Sequence, residues 1–166
     1  MEKRLYAAYG SNMNIGQMRV RCPTAKVVGN SKLNGYELLF RGVHGSAVAT
    51  VEPKKGASVP LVIWEIQERD EAALDHYESV PIFYRKETVK VKIDNKNIDV
   101  MIYIMNDGHA LNLPSRHYYK GLCEGYKAAG FSIESLEAVL ARVKEGELPE
   151  PGDKETDDKK DEPPAE

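Results

Sequence analysis

The chain has 166 residues, 42% of them hydrophobic, and a formal net charge of -3. That length suits one ordinary domain with a core of normal size. No apolar run reaches the roughly 18 residues a membrane span needs, and the Met1–Tyr6 start lacks the apolar stretch of a signal peptide.

The charge is unevenly spread. Residues 151–166 hold seven acids and three lysines, which leaves 1–150 near +1. Such a body is not basic enough to point to nucleic acid. Cys22 and Cys123 are the two cysteines. With no export signal in view, two reduced, partly buried thiols and a cytoplasmic location are expected.

Leu5 to Tyr9 is a short apolar run ending at glycine and suits a buried first strand. Asn14 to Arg21 reads as a short helix, stopped before Cys22-Pro23 because the residue before proline avoids the helical region. Tyr36 to Phe40 and Ala47 to Val51 read as strands separated by Gly42 and Gly45. Val59 to Ile66 is a stronger strand run. Residues 71–78 suit a short helix with Asp70 as its N-cap. Arg85 to Ile93 alternates as a half-exposed strand does, Asn95-Lys96-Asn97 reads as a turn, and Ile98 to Met105 returns to complete a hairpin.

The last third is helical. Ser115 caps a helix toward Ala129 that stops at Gly130. Ser132 caps another, with Leu136, Val139, Leu140 and Val143 at helical spacing, ended by Gly146 and Pro149. Strands in the middle and helices at the end, without regular alternation, give an α+β domain over 1–150. Residues 151–166 carry no aromatic side chain and too little apolar surface to offset the entropy of ordering, so an acidic disordered tail is expected.

Two places carry candidate chemistry. Tyr9-Gly10-Ser11-Asn12 follows a buried strand and precedes a helix. It presents backbone N–H groups at a chain reversal, with Gly10 allowing close approach and Ser11 and Asn12 adding polar side chains. The same residues are also ordinary turn and helix-cap chemistry. The loop lacks the Gly-Lys-Ser/Thr ending of a P-loop and the dinucleotide fingerprint. No Gly-x-Ser-x-Gly surrounds Ser11, and His44, His76, His109 and His117 match no common metal-ligand spacing.

The second place is Glu78. On a helix over 71–78, Leu74, Tyr77 and Glu78 share one stripe, which puts a carboxyl on an apolar face at the C-terminal end of the helix dipole. Both features raise a carboxyl pKa and suit a general base. Glu71 lies near the same stripe, so the pattern does not by itself choose between the two acids.

Taken in order, Tyr6-Ala7-Ala8-Tyr9-Gly10-Ser11-Asn12, then Arg21-Cys22-Pro23, then Leu74-Asp75-x-x-Glu78, Tyr103, and Pro114-Ser115-x-x-Tyr118 with Gly125 resemble the gamma-glutamylcyclotransferase family, which has an AIG2-like fold. The resemblance covers about residues 4–130. It implies a compact α+β domain with a mixed, largely antiparallel, barrel-like sheet flanked by helices.

It also implies an enzyme that needs neither metal nor organic cofactor and acts on a small gamma-glutamyl substrate. Tyr6, Ala7, Ala8, Tyr9, Gly10, Ser11 and Asn12 would bind the glutamyl end. Glu78 would be the proton acceptor, Tyr118 would hold the substrate and Tyr103 would line the pocket. Nucleic acid and membrane are not expected partners, and a homodimer is left open.

Two other readings remain: an enzyme of the same fold acting on gamma-glutamyl amines, and a non-catalytic small-molecule binder. The family often has glycine directly after its glutamate, where this chain has Ser79.

Overall fold

The structure, a computed structural model, describes residues 4–144. The expected acidic tail lies outside the described residues.

Five strands form one mixed sheet: β1 (Arg4–Ala8), β2 (Lys26–Arg41), β3 (Val48–Ile66), β4 (Tyr84–Ile93) and β5 (Lys96–Met105). Their spatial order is β2-β3-β1-β5-β4. Only β1 and β5 run parallel, and the other neighbours are antiparallel. Four helices complete the fold: α1 (Ile15–Arg21), α2 (Glu68–Tyr77), α3 (Arg116–Ala128) and α4 (Glu134–Lys144).

The α+β class expected from the sequence is what the chain adopts. The sheet curls but does not close. Its edge strands approach where Ser31 Oγ on β2 donates to the Lys92 carbonyl on β4 at 2.7 Å.

The long β2–β3 hairpin differs from the shorter strands expected. β3 runs unbroken through Pro53, Gly56 and Pro60. Prolines lack the N–H a central strand needs. They are tolerated because β1 pairs only with residues 62–66, so Pro53 and Pro60 have a ladder partner on the β2 side alone and residues 54–57 have none. A register shift between Asn34 and Tyr36, with Gly35 at φ 83°, absorbs the irregularity.

The β4–β5 hairpin turns at Asp94-Asn95, one residue earlier than expected. Both residues are left-handed, at φ 51° and 64°, as a two-residue turn of this hand requires.

Local capping sets most helix ends. Asn14 Oδ1 accepts from Gln17 N at 3.1 Å to start α1, and Ser115 Oγ accepts from Tyr118 N at 3.0 Å to start α3. Ser132 Oγ accepts from Glu134 N at 3.1 Å ahead of α4. At α2 the N-cap is Gln67 rather than Asp70. Asp70 lies at the third helical position, and its carboxylate accepts from Gln67 N at 2.9 Å and from Thr24 Oγ1 at 2.7 Å. Asp70 thus ties the start of α2 to the turn after α1.

One continuous core spans the sheet and its helices, with Phe40, Leu61, Ile63, Leu74, Ile102, Leu122 and Leu136 fully buried. Both thiols are free. Cys123 is partly buried as expected, whereas Cys22 is fully buried. Among the described residues no helix is long and apolar enough to cross a membrane.

Candidate active site

At the C-terminal end of β1 the chain enters a single 3-10 turn, Ser11–Met13, closed by Met13 N donating to the Gly10 carbonyl at 3.0 Å. The N–H groups of Ser11 and Asn12 have no acceptor within such a turn. Gly10 faces Tyr118 of α3 and Ala49 of β3. A Cβ built on Gly10 would stand 3.5 Å from Tyr118 Oη and 3.7 Å from Ala49 Cβ. The turn forms one wall of a cavity of about 250 Å³.

Glu78 lines the same cavity. It stands one residue past the end of α2, where it keeps a helical hydrogen bond, its N–H donating to the Leu74 carbonyl at 2.8 Å. The helix ends at Tyr77, which is 46% exposed, and Glu78 is the C-cap. The next residue, Ser79, is left-handed at φ 54°. Ser79 N donates to the His76 carbonyl at 3.1 Å and Val80 N to the Asp75 carbonyl at 3.0 Å. This is the Schellman arrangement, with Ser79 in the position glycine usually takes. Glu78, at φ -88°, lies one turn beyond Leu74, and the chain turns away sharply after it. A cis Val80–Pro81 peptide follows.

Burial raises the Glu78 carboxyl to about 7, against a smaller opposing pull from the Arg21 charge. The Glu78 charge in turn raises the phenols of Tyr6 and Tyr9, after the larger effect of their own burial. Carboxyl and loop are therefore electrostatic neighbours.

Among the phenols that line the cavity, the hydrogen bonds of Tyr6, Tyr9, Tyr84 and Tyr118 divide those four into two pairs. Tyr9 OH donates to the Tyr103 carbonyl at 2.6 Å, and Tyr84 OH donates to the Ala49 carbonyl at 2.6 Å. Those two protons are committed to the scaffold. Tyr6 Oη instead accepts from Asn12 Nδ2 at 2.9 Å, and Tyr118 Oη accepts from Ala49 N at 3.0 Å. Each of these hydroxyls keeps its own proton to offer into the cavity. Burial pushes all four phenols well up, so they stay protonated at neutral pH.

Of the residues singled out from the sequence, Tyr6, Ala7, Tyr9, Gly10, Ser11, Asn12, Glu78, Tyr103 and Tyr118 surround this one cavity. Ala8 does not. It is 1% exposed, packed in the core.

Asn12 acts on its neighbours. Its amide donates to Tyr6, its side-chain oxygen accepts from Arg21 Nη1, and its carbonyl accepts from Trp64 Nε1 at 3.1 Å. Tyr103 presents its ring edge-on to Tyr6, 5.7 Å between centroids, while its hydroxyl donates to Asp75 Oδ1 at 2.7 Å, out of the cavity.

Residues not singled out from the sequence also build the site. Tyr84 and Ala49 complete the wall, and Asp75 holds Tyr103. Tyr77 stands at the mouth, with the Arg21 guanidinium carbon 3.7 Å from its ring centroid. Of these, Arg21 and Asp75 sit inside the motifs already quoted, which was the available signal. Tyr84 and Ala49 carried none, and Tyr77 was read only as a neighbour of Glu78 on the α2 stripe.

The fold and cavity define a small α+β protein with a raised carboxyl facing a glycine loop. A profile of the family described as "Gamma-glutamyl cyclotransferase, AIG2-like" matches residues 6–121. The chain is 30% identical to human gamma-glutamylcyclotransferase over 149 residues, covering 84% of this chain and 79% of the human one. It is 28% identical to the bovine gamma-glutamylcyclotransferase over 142 residues, covering 80% and 75%. A solved gamma-glutamyl cyclotransferase structure superposes with a TM-score of 0.74 at 29% identity, covering 84% of this chain and 88% of that one. The chain belongs to the gamma-glutamyl cyclotransferase, AIG2-like family.

Proposed function

We propose that this protein cyclises a gamma-glutamyl amino acid or peptide to 5-oxoproline and releases the free amino acid or amine. The observation that carries this is the carboxyl of Glu78, raised to about 7 in a cavity it shares with the Tyr9–Asn12 loop.

The reaction is intramolecular aminolysis. The substrate's own alpha-amine attacks its gamma-carbonyl and closes a five-membered ring. At neutral pH that amine is an ammonium and cannot attack. Glu78, as the carboxylate, takes one proton from it. As the tetrahedral carbon collapses, the same carboxyl returns its proton to the leaving nitrogen, the carbon–nitrogen bond to the leaving group breaks, and the second proton of the ring nitrogen passes to the released amine, which departs as an ammonium. A carboxyl near 7 is matched to both halves of that exchange.

The hydroxyl protons of Tyr6 and Tyr118, not spent on Asn12 or Ala49, together with the N–H groups of Ser11 and Asn12, would hold the alpha-carboxylate and the developing oxyanion. The cavity walls fold the glutamyl chain into the cyclising conformer, where proximity supplies much of the rate.

The test is a panel of gamma-glutamyl dipeptides, glutathione and gamma-glutamyl amines, read out as 5-oxoproline. Release from the dipeptides supports the proposal. Release from gamma-glutamyl amines alone makes the protein an amine-specific enzyme of the same fold. Tight binding without release from any of them makes it a small-molecule binder.

A further inference from the structure

Five arginines are half-buried among the described residues. Four of them face a carboxylate: Arg4 with Glu71, Arg41 with Glu52, Arg85 with Glu87 and Arg142 with Glu37. Arg21 has no ion-pair partner among the described residues. Its guanidinium is fixed entirely by neutral acceptors: Asn12 Oδ1, Gln17 Oε1 at 2.9 Å and Tyr77 Oη at 2.7 Å. Those three bonds use three of its five N–H groups, so two remain to donate. A half-buried cation held rigid, with spare donors and no carboxylate within ion-pair distance, is a built place for an anion.

Its position says which anion. Arg21 lies in an open groove outside the Glu78 cavity. Ser11, Tyr77 and Tyr118 border both spaces, so the groove begins where the cavity ends. Ser11 Oγ and Tyr77 Oη stand 3.5 Å apart at that boundary. A gamma-glutamyl compound with its reacting carbonyl at Glu78 and its glutamyl end inside must lead its leaving group outward, past this boundary and toward Arg21. Glu124 of α3 also lines the groove, and its negative charge favours placing an anion on the Arg21 side.

We propose that Arg21 binds the carboxylate of the leaving amino acid and so selects gamma-glutamyl amino acids over neutral gamma-glutamyl amides and amines. This rests on the cyclotransferase reading above. Arg21 is a specificity-determining residue, and the Tyr77 ring beneath it fixes the guanidinium plane.

The test compares gamma-glutamyl-alanine with gamma-glutamyl-alaninamide, two substrates of nearly one shape that differ in the leaving group's charge. Wild-type protein is expected to favour the carboxylate substrate by roughly 10- to 100-fold in kcat/KM, the range of a hydrogen bond to a charged group. Arg21→Gln removes the charge. Whatever loss it imposes on both substrates through Asn12, the ratio between them is expected to fall to within about threefold of one.

Arg21→Lys keeps the cation without the fork and is expected to give an intermediate ratio; should the glutamine variant not fold, this one decides. A wild-type ratio near one, or a ratio unchanged in both variants, overturns the assignment. Wild-type protein that releases 5-oxoproline from neither substrate overturns the cyclotransferase reading itself, a result distinct from turnover without preference.

Discussion

Glu71 and Glu78 stand two helical turns apart on α2 and its cap, yet their surroundings drive their carboxyl groups in opposite directions. Glu71 contacts Arg4 and Lys86, the latter at 2.6 Å, and these hydrogen bonds outweigh its partial burial and lower its pKa. Glu78 has no such partner among the described residues, and burial lifts it to about 7. The sequence pattern could not separate the two acids. Their neighbours do, because the ion pairs of Glu71 come from β1 and β4, far away in the chain.

Replacing each acid by glutamine should therefore give opposite results. Glu78→Gln is expected to lower kcat/KM for 5-oxoproline release by a factor of about 10² to 10⁴, the usual worth of a positioned acid–base group, with melting unchanged or slightly raised. Glu71→Gln is expected to keep activity and to lose about 1 kcal/mol of stability, since Arg4 and Lys86 each lose one ion pair while Lys86 keeps Asp75 at 3.0 Å. Activity assays beside urea titrations of both variants check this. Near-normal release by the Glu78 variant would remove Glu78 from the mechanism.

The raised carboxyl also predicts a pH dependence with a definite sign. Glu78 binds its proton more tightly in the folded protein than in the unfolded chain, so between about pH 4.5 and 7 the folded state carries more protons. Stability from this group is therefore greatest below that window, falls as pH rises through it, and is level above. The loss is on the order of 2 kcal/mol after allowance for partial exposure. Catalysis runs the other way, because the base must be ionised, and kcat/KM should rise through about pH 7. Unfolding curves across this range for wild type and Glu78→Gln check the first statement, since the variant should lose this component of the slope. A pH–rate profile checks the second.

Features written locally were legible in the sequence. The apolar run ending at Gly10, the alternation from Arg85 to Ile93 and the Ser115 cap each depend on residues a few positions apart, and each stands where it was expected. The continuity of β3 was not legible, because Pro53, Gly56 and Pro60 are strand breakers unless one side of the strand is unpaired, which only the short β1 reveals. The sharp end of α2 was not legible either: it comes from a left-handed Ser79, and serine does not announce that conformation as glycine would. The Arg21–Tyr77 stack and the Tyr84–Ala49 bond join residues 56 and 35 positions apart, and single residue types carry no mark of such pairings.

Ser79 offers a direct test of how the cap serves the site. A left-handed backbone costs a residue with a Cβ about 1–2 kcal/mol, part of which glycine returns through its freer unfolded chain. Ser79→Gly is expected to be neutral or stabilising by up to about 1 kcal/mol, with kcat within a few-fold of wild type. Ser79→Val forces a branched side chain into φ 54° and is expected to destabilise by about 1–2 kcal/mol and to lower kcat, because the turn directly after Glu78 is disturbed. Urea midpoints and 5-oxoproline assays on the two variants decide. Equal activity in both would show that Glu78 is held by something other than this turn.

Tyr118→Phe separates scaffold from binding. The hydroxyl accepts the Ala49 N–H at 3.0 Å while its own proton faces the cavity beside Gly10. Removing it leaves one buried backbone donor unpaired, so a stability loss of about 1–2 kcal/mol is expected. The lost donor to substrate should appear mainly as a KM raised roughly tenfold, with kcat reduced less, because the proton transfer stays with Glu78. Tyr84→Phe removes a hydroxyl from the other side of Ala49, at 2.6 Å from its carbonyl, whose proton is already spent. It should show a comparable stability loss with little change in KM. If the two variants shift KM alike, the free proton of Tyr118 has no part in holding substrate, and the hydroxyl serves only to fix the wall at Ala49.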